Sequence, residues 1–457
     1  MQKSIFREYD IRGVVDRDLT PDVVRDIGQA IGSLAGERGE TTVIVGRDAR
    51  LSSPLLCRAL KAGIHAAGLD VLDLGTVSTP LLYYATHTLG ASRAGVMVTG
   101  SHNPPQYNGL KIVIDKIALH GAVIRDLRRR IETGDLRRGC GCDRFTDVRS
   151  DYIRRLAQAL QLSKPCKVVV DCGNAIAAET APALLRALGC EVVELYCEVD
   201  GRFPNHHPDP SVPENLADLQ AAVRAHRADI GLAFDGDADR LGVVTDAGEI
   251  IWPDRVLMPL AEEVLNSHPG AGVVYDIKCS WHLTRLIERL GGQPVPWKTG
   301  HSLIKAKMRE TGALLGGEMA GHFVHADDWF GFDDAFYAAA RLLRLLARQN
   351  RSSAEFFAAY PTGFNTPELR LDMAEGEPFA FMARLCERAD FGPDARIVTL
   401  DGLRVEFPHG WGLVRASNTT PSLTLRFEAD DTAALADIQE RFRRPMLALQ
   451  ADLPLPF

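Results

Sequence analysis

The stretch Val43–Gly75, VIVGRDARLSSPLLCRALKAGIHAAGLDVLDLG, decides the fold class. A short β-branched run ends at Asp48, an amphipathic segment follows, Gly68 stops it, and a second apolar run completes the unit. Strand, helix and strand in this order are typical of the βαβ unit of a parallel sheet. The pattern recurs in Val168–Tyr196 and Val273–Gly300. Chance similarity of ordinary βαβ units is the alternative, but three copies spaced about a hundred residues apart predict three α/β domains in tandem.

The chain changes character after Pro361. Short alternating apolar runs replace the βαβ pattern, and the pair Asp401-Gly402 is typical of a tight hairpin turn. The predicted elements are a strand at Leu369–Asp372, a helix at Phe379–Glu387, a strand pair at Ile397–Phe407, a strand at Leu423–Phe427 and a helix at Thr432–Leu449. The tail is therefore predicted to be a small α+β domain.

The composition is that of an ordinary globular protein of 457 residues. A formal net charge of −8 argues against nonspecific nucleic-acid binding, so a site for an anionic substrate would have to gather its cations locally. No apolar run is long enough to span a membrane, and the opening MQKSIFREYDIRG lacks the apolar core of a signal peptide. The nine cysteines have no zinc-finger spacing and fit reduced thiols. We therefore expect a cytoplasmic protein without a nucleic-acid or membrane partner.

The stretch LAFDGDADRLGVV holds three closely spaced aspartates, Asp235, Asp237 and Asp239. Adjacent carboxylates repel one another unless a cation lies among them, and oxygen ligands suit a hard ion such as Mg²⁺. An EF-hand calcium loop is excluded because its sixth position is Arg240 and its twelfth is Asp246. Apolar flanks on both sides disfavour a solvated acidic turn. The sequence therefore predicts a magnesium site here.

In the stretch VTGSHNPPQYNGLK, residues 98–111, an apolar run ends at a lone serine, Ser101, in a loop rich in turn residues. A surface turn is the alternative interpretation. We expect Ser101 to lie on a rigid, solvent-facing turn, where it could present a phosphate to the metal. A phosphoserine bound to Mg²⁺ is a chemically reasonable phosphoryl donor, because the metal draws charge from the phosphoryl oxygens.

Three further stretches carry weaker signals. In GGEMAGH, Glu318 could accept sugar hydroxyl protons and His322 could donate one, although a glycine-rich turn with a satisfied histidine is common. In RASNTTP, Arg415 and its neighbours suit a phosphate, with a capped surface turn as the alternative. The opening FREYDIRG adds two arginines and a tyrosine.

These motifs together resemble those of the α-D-phosphohexomutases. YDIRG, TGSHNPP with Lys111 downstream, DGDADR, GEMAGH and RASNTTP occur in the family's order, and the resemblance extends from Phe6 to the closing LPLPF. It implies an α/β fold class, with three tandem α/β domains of mixed, largely parallel sheets and a C-terminal α+β domain around a central cleft. We expect the domains at 1–146, with the serine loop; 147–249, with the metal loop; 250–361, with the sugar loop; and 362–457, with the phosphate loop.

The resemblance also implies a role for each motif residue. The catalytic residues would be Ser101, His102, Lys111, Arg12 and His322, with Lys111 or His322 as proton carriers. Mg²⁺ would be held by Ser101, as its phosphate, and by Asp235, Asp237 and Asp239. The substrate would be bound by Tyr9, Arg240, Lys278, His301, Glu318, Met319, Ala320, Gly321, His322, Arg415, Ser417, Asn418 and Thr419.

Three positions depart from the family pattern. Ala238 replaces a glycine of the metal loop, which alanine tolerates only at negative φ, so we expect negative φ there. Ala320 replaces a serine of the sugar loop and removes a hydroxyl from the expected sugar site. Ala175 replaces a common glycine after Asp171-Cys-Gly-Asn174, which is a structural matter.

The implied activity is reversible phosphoryl transfer between C1 and C6 of mannose and glucose phosphates. It would pass through a phosphoserine enzyme and a 1,6-bisphosphate, with glucose or mannose 1,6-bisphosphate as activator, in a monomer. Phosphoglucosamine mutase activity and a noncatalytic sugar-phosphate-binding protein remain alternatives.

Overall fold

The computed structural model describes residues 3–374, 376–417 and 420–457. Four separate sheets follow one another along this chain. Over the described ranges, no helix combines the length and the apolar character that crossing a membrane requires.

The first sheet is mixed and contains seven strands. Its elements, after a 3-10 turn at Lys3–Ile5, are β1 (Ile11–Val14), α1 (Pro21–Glu37), β2 (Thr42–Arg47), α2 (Ser53–Ala66), β3 (Asp70–Thr76), α3 (Thr79–Thr88), β4 (Gly95–Val98), β5 (Tyr107–Ile114), β6 (Ile117–Ala118), α4 (Ala122–Thr133) and β7 (Asp143–Phe145). The strand order is β1-β5-β4-β2-β3-β7, with β6 on β5. Strands β2 and β4 are parallel, so the loops after both meet at one edge of the sheet.

The second sheet has five strands. Its elements are α5 (Arg149–Ala159), β8 (Lys167–Asp171), a 3-10 turn (Ile176–Glu179), α6 (Ala181–Ala187), β9 (Glu191–Leu195), a 3-10 turn (Pro213–Leu216), α7 (Ala217–His226), β10 (Ile230–Phe234), β11 (Leu241–Thr245) and β12 (Ile250–Ile251). The order is β12-β11-β10-β8-β9, and the antiparallel pair β10–β11 encloses the three aspartates.

The third sheet has four strands. Its elements are α8 (Pro253–Ser267), β13 (Gly272–Asp276), α9 (Trp281–Arg289), β14 (Gln293–Trp297), α10 (His301–Thr311), β15 (Leu315–Gly317), β16 (Phe323–His325), α11 (Ala335–Ala347) and α12 (Ser353–Ala358). The order is β14-β13-β15-β16, and the sugar loop forms the turn between β15 and β16.

The three predicted βαβ units are confirmed. The pairs β2–β3, β8–β9 and β13–β14 are all parallel. Gly68, Gly189 and Gly291 follow the three helices at φ of 88°, 88° and 73°, a left-handed conformation that glycine adopts without a Cβ clash.

The fourth sheet is antiparallel, as the tail pattern predicts. Its elements are β17 (Phe364–Asn365), β18 (Leu369–Asp372), α13 (Glu377–Arg388), β19 (Arg396–Val398), β20 (Leu403–Phe407), β21 (Gly410–Ala416), β22 (Ser422–Ala429) and α14 (Thr432–Leu449). The order is β17-β22-β21-β20-β19, with β18 also on β22. The predicted tail elements are confirmed, whereas β21, which carries Arg415 at its end, was not predicted.

One apolar cluster runs through the first three sheets and fixes them together. It includes Tyr83 from the first sheet, Phe234 from the second and Phe336 from the third, all nearly inaccessible to solvent. The tail has its own core and joins the third sheet through Trp411, which packs beside Ile277. The guanidinium of Arg404 lies 3.8 Å from the Trp411 ring centre and donates a hydrogen bond to a carbonyl of the third sheet. The four sheets therefore hold their loops in a defined arrangement.

Helices α1 and α2 approach so closely that glycine is required between them. A Cβ on Gly63 would lie 2.0 Å from the carbonyl oxygen of Arg25. We expect Gly63→Ala to lower the free energy of unfolding by about 1–3 kcal/mol, as overpacking does, in urea unfolding followed by circular dichroism. Ala62→Ser, on the exposed face of the same helix, is the control and should change stability by less than about 0.5 kcal/mol. Equal effects of the two substitutions would contradict this packing.

Candidate active site

Ser101 is buried, with 2% of its surface exposed. The expectation that Ser101 faces solvent is therefore wrong, because the metal loop of the second sheet lies against it. Residues 104–106 of the same turn are exposed, as expected. Ser101 has φ of 48°, and its backbone N–H donates to the Thr99 hydroxyl at 2.8 Å. A serine in the left-handed region is uncommon and is held here by its surroundings.

Those surroundings depend on Arg50, which the sequence analysis missed. The buried guanidinium donates hydrogen bonds to four backbone carbonyls of the serine loop, those of Ser101, Asn103, Pro104 and Tyr107, at 2.5–3.1 Å. Asp48, at the end of β2, lies 3.4 Å from the Arg50 guanidinium and accepts from the backbone N–H of Gly100. The only sequence signal was a charged Arg-Asp-Ala-Arg run directly after a buried strand.

The metal loop meets the serine loop directly. The hydroxyl of Ser101 donates to Asp235 at 2.8 Å, and Asp235, Asp237 and Asp239 have no exposed surface. A Cβ on Gly236 would lie 2.1 Å from the carbonyl oxygen of Ser101, so only glycine permits this approach. The structure thus brings together Ser101 and the three aspartates, residues more than a hundred positions apart in the chain.

Ala238 contradicts the expectation of negative φ. Its φ is 63°, and its side chain is fully buried. A left-handed alanine costs roughly 1–2 kcal/mol because its Cβ crowds the following carbonyl. The loop keeps its conformation because flanking strands β10 and β11 and the neighbouring hydrogen bonds hold it, as in the bond from the Asp239 N–H to Asp235 at 3.1 Å.

The charges of the three aspartates fit a divalent cation. Burial, followed by the charges of Asp239 and Asp237, raises the pKa of Asp235 well above its ordinary value. One oxygen each of Asp237 and Asp239 is buried and has no hydrogen-bond partner among the described residues. A set of buried carboxylate oxygens of this kind suits a hard cation such as Mg²⁺.

Lys111 supplies one positive charge to the same group. Its ammonium donates to Asp237 at 2.6 Å and also contacts Asp239. Burial alone would lower the pKa of Lys111, but the charges of the aspartates outweigh it and raise that pKa above its ordinary value. Thr79, which the sequence analysis also missed, donates its hydroxyl to Asp237 at 2.5 Å. Lys111 is therefore a fixed positive charge rather than a group that releases its proton near neutral pH.

Arg12 and His102 flank the serine. Arg12 donates to the carbonyl of Gly100 at 3.0 Å, forms an ion pair with Asp10 at 2.6 Å and contacts the Asn103 side chain. His102 lies 2.7 Å from Asp209 of the second sheet. Burial lowers the pKa of His102 to about 4, so its imidazole is neutral near pH 7.

The sugar loop faces the metal loop across a short gap. Glu318 accepts from the backbone N–H of Gly300 at 2.5 Å, and its other oxygen lies 3.0 Å from Nδ1 of His322. Nε2 of His322 lies 3.3 Å from Asp239. Burial would lower the pKa of His322, but the charge of Asp239 and the polar contacts with Asp239 and Glu318 raise it to about 9. His322 thus links the two loops through contacts at both of its ring nitrogens.

The other expected sugar-binding residues lie around this loop. Lys278 follows β13 and forms an ion pair with Glu368 at 2.7 Å. The ring of His301 stacks on that of His322, with centres 5.1 Å apart. The backbones of Arg240 and His322 pair in an antiparallel β-bridge, which joins the metal loop to the sugar loop. In the loop itself, Met319 is buried, Ala320 is partly exposed and Gly321 has φ of 98°.

The expected phosphate-binding residues lie where the fourth sheet meets the others. Arg415 donates to Asp401 at 3.0 Å, and Asp401 accepts from the backbone N–H of Thr299 at 2.9 Å. Tyr9 donates its hydroxyl to the carbonyl of Thr299 at 2.6 Å. Ser417 belongs to the same loop, as its N–H donates to Ser422. The remaining expected residues, Asn418 and Thr419, lie outside the described residues.

A cavity of about 430 Å³ separates the first domain from the fourth. Arg7, Arg12 and Arg17 line it on one side, and Ser417 and Thr420 on the other. This acidic chain therefore collects cations at the cleft, as an anionic ligand requires.

Comparison with protein-family models gives four matches in chain order. They are described as phosphoglucomutase/phosphomannomutase alpha/beta/alpha domain I, domain II and domain III and as the C-terminal domain of the same family. The matched residues are 3–138, 150–248, 252–363 and 368–444.

Individual relatives match over nearly the whole chain. A phosphomannomutase/phosphoglucomutase of Pseudomonas aeruginosa is 53% identical over 99% of this chain and 98% of its own. A phosphoglucomutase of Neisseria gonorrhoeae is 47% identical over 96% of each chain. A crystal structure of a phosphoglucomutase/phosphomannomutase family protein from Burkholderia thailandensis superposes with a TM-score of 0.94, at 49% identity and with full coverage of both chains.

The left-handed alanine gives a stability prediction. Replacing Ala238 by glycine relieves strain of roughly 1–2 kcal/mol and loses a buried methyl worth about 0.8 kcal/mol. Ala233→Gly, at a buried position of strand β10, loses the methyl without relieving strain and is the matched control. In urea unfolding we expect Ala238→Gly to be more stable than Ala233→Gly by about 1–2 kcal/mol. Equal losses in the two variants would show that Ala238 is not strained.

Proposed function

We propose that this chain, which belongs to the phosphoglucomutase/phosphomannomutase family, interconverts the 1- and 6-phosphates of mannose and glucose. The carrying observation is the contact of the Ser101 hydroxyl with Asp235, at 2.8 Å, within a buried group of three carboxylates. In the proposed reaction, phosphorylated Ser101 gives its phosphoryl group to a hexose phosphate, which becomes a 1,6-bisphosphate. The intermediate then turns end for end and returns its other phosphate to Ser101.

A bound Mg²⁺ would be held by Asp235, Asp237, Asp239 and the phosphate of Ser101, and would supply electrostatic stabilisation of the transferring group. Glucose or mannose 1,6-bisphosphate would charge Ser101 as activator. The buried, partner-free oxygens of the aspartates support this assignment.

The protein groups around Ser101 have separable roles in this proposal. Lys111 and Arg12 place positive charge beside the transferring phosphoryl group, where they stabilise the transition state. His322, which its pKa of about 9 keeps protonated near neutral pH, donates a proton to the sugar oxygen that departs when the phosphate returns to Ser101. The neutral imidazole left by that step accepts the proton of the sugar hydroxyl that attacks in the opposite step. His102 holds the serine loop to the second domain through Asp209.

Binding the sugar in two opposite orientations sets a constraint on the rest of the cleft. The phosphate grip must accept either phosphate, so we assign it to Tyr9, Arg415, Ser417, Asn418 and Thr419. Sugar contacts must use groups that superpose after the turn, so Glu318 would hold the 3- and 4-hydroxyls, with Met319, Ala320 and Gly321 shaping the loop. Arg240, Lys278 and His301 would complete the sugar site. Glucose and mannose differ only at C2, and the proposed contacts involve the 3- and 4-hydroxyls, so the site would accept both sugars.

The finer assignments remain proposals. We place the domain boundaries at 1–146, 147–249, 250–361 and 362–457, with the tail domain as a mobile lid over the cleft. We further propose a cytoplasmic monomer that binds small hexose phosphates but neither nucleic acid nor membranes. The relatives named above favour mannose and glucose phosphates over glucosamine phosphate as substrates. The intact serine and aspartates favour an enzyme over a noncatalytic binding protein.

Removing the phosphate carrier tests the mechanism. We expect Ser101→Ala to lower kcat at least about a thousandfold, because the acceptor of the covalent phosphate is lost. The measurement is a coupled assay of glucose 1-phosphate conversion to glucose 6-phosphate. Ser267→Ala, at an exposed serine of α8, is the control and should retain full activity. Near-wild-type turnover by the Ser101 variant would exclude the serine as carrier.

The choice of sugar is tested by assaying mannose, glucose and glucosamine phosphates side by side. We expect kcat/KM for the mannose and glucose substrates to agree within about tenfold, since the site reads hydroxyls they share. Ala320→Ser restores a hydroxyl and should lower KM by no more than about tenfold, the effect of one hydrogen bond. A clear preference for glucosamine phosphate would favour the alternative activity.

A further inference from the structure

We propose that a second cation site, adjacent to the aspartate trio and sharing Asp239 with it, lies between the metal loop and the sugar loop and takes a borderline transition metal such as Zn²⁺. Its ligands are Asp239, His301, His322 and Asp333. One ligand atom of each lies within 4.8 Å of the others, and all four side chains are buried. Asp239 lies in the loop between β10 and β11, whereas the other three residues lie in loops and at the start of helix α10 beside the third sheet, so the fold itself brings them together.

The ligand atoms lie close together, but most of them form no hydrogen bond with one another. Nε2 of His322 lies 3.3 Å from Oδ1 of Asp239 and accepts a long hydrogen bond of 3.4 Å from Nε of Arg240, which a bound cation would replace. Nδ1 of His301 lies 3.1 Å from Oδ2 of Asp333. Oδ1 of Asp239, Nδ1 of His301 and Oδ2 of Asp333 are nevertheless buried without a hydrogen-bond partner among the described residues. Leaving such atoms unpaired costs free energy, which a bound cation would recover.

Neighbouring charges already orient these ligands. Lys111 contacts Oδ2 of Asp239, and Lys305 contacts Oδ1 of Asp333. The other oxygen of each carboxylate therefore remains available to a cation between the two loops. Oε2 of Glu318 lies 3.0 Å from Nδ1 of His322, the ring nitrogen opposite the one facing Asp239. Metal-binding histidines usually have a carboxylate beside their second nitrogen, and Glu318 lies in that place, although Nδ1 of His322 makes no hydrogen bond among the described residues.

The donor set separates this site from the aspartate trio. Two imidazoles and two carboxylates suit Zn²⁺ or Co²⁺, whereas the trio offers only oxygen and suits Mg²⁺. The two sites share Asp239. A transition metal in the second site occupies His301 and His322, so it would compete with the sugar. That inhibition rests on the proposed function, whereas the cation binding does not.

The test uses Co²⁺, whose visible absorption reports its ligands, with the purified full-length chain. We expect one Co²⁺ per chain, with the absorption of a nitrogen-ligated ion, that saturating Mg²⁺ does not displace. His301→Ala should weaken Co²⁺ binding at least about tenfold while the chain still binds Mg²⁺. Asp235→Asn should weaken Mg²⁺ binding and leave Co²⁺ binding unchanged, because Asp235 belongs only to the aspartate trio. His120→Ala, at a half-buried histidine outside both groups, is the matched control and should bind Co²⁺ as the wild type does.

Two results would overturn the inference. One is displacement of Co²⁺ by Mg²⁺ together with its loss in Asp235→Asn, which would place Co²⁺ in the trio. The other is wild-type Co²⁺ binding by both His301→Ala and Asp333→Asn, each checked for folding by circular dichroism. Inhibition is measured separately: Zn²⁺ should raise KM for glucose 1-phosphate at unchanged kcat. A chain without mutase activity would still give the Co²⁺ result, so failure of the proposed function and failure of this site are distinguishable.

Discussion

The site depends on one contact, the hydrogen bond from the Ser101 hydroxyl to the buried carboxylate of Asp235. This hydrogen bond joins loops of two different sheets. Where the loops meet, three carboxylates are buried, and burying their charge costs free energy unless positive charge lies nearby. Lys111 supplies part of that charge from the first sheet, and the proposed Mg²⁺ supplies the rest. Because Lys111 comes from the first sheet, the acidic loop gains this compensation only where the first and second sheets meet.

The architecture meets this requirement through close backbone approach. Parallel strands place Asp48 and the serine loop at one edge of the first sheet, where Arg50 gathers four carbonyls into a fixed turn. Gly236 then lets the metal loop approach within a distance that any Cβ would prevent. A shared apolar core across three sheets holds these loops in place, and the tail lines the far side of the cavity with the hydroxyl groups of Ser417 and Thr420.

The sequence predicted most of the fold because strand and helix periodicities and glycine stops are local signals, as in Val43–Gly75. The site followed from motifs whose residue types suit one chemistry. Arg50 was missed because its partners lie about fifty residues away, beyond what spacing reveals. The burial of Ser101 and the left-handed φ of Ala238 were predicted wrongly, since both depend on how two loops pack rather than on either loop alone. Strand β21 was overlooked because its end carries the polar residues that were interpreted as a loop.

The most direct measurement is transfer of labelled phosphate. The purified chain is incubated with Mg²⁺ and radiolabelled glucose 1,6-bisphosphate, and the labelled peptide is mapped before and after unlabelled glucose 1-phosphate is added. The account predicts label on Ser101 that moves to the sugar during the chase. Label on another residue, or label on Ser101 that the sugar phosphate cannot remove, would contradict it.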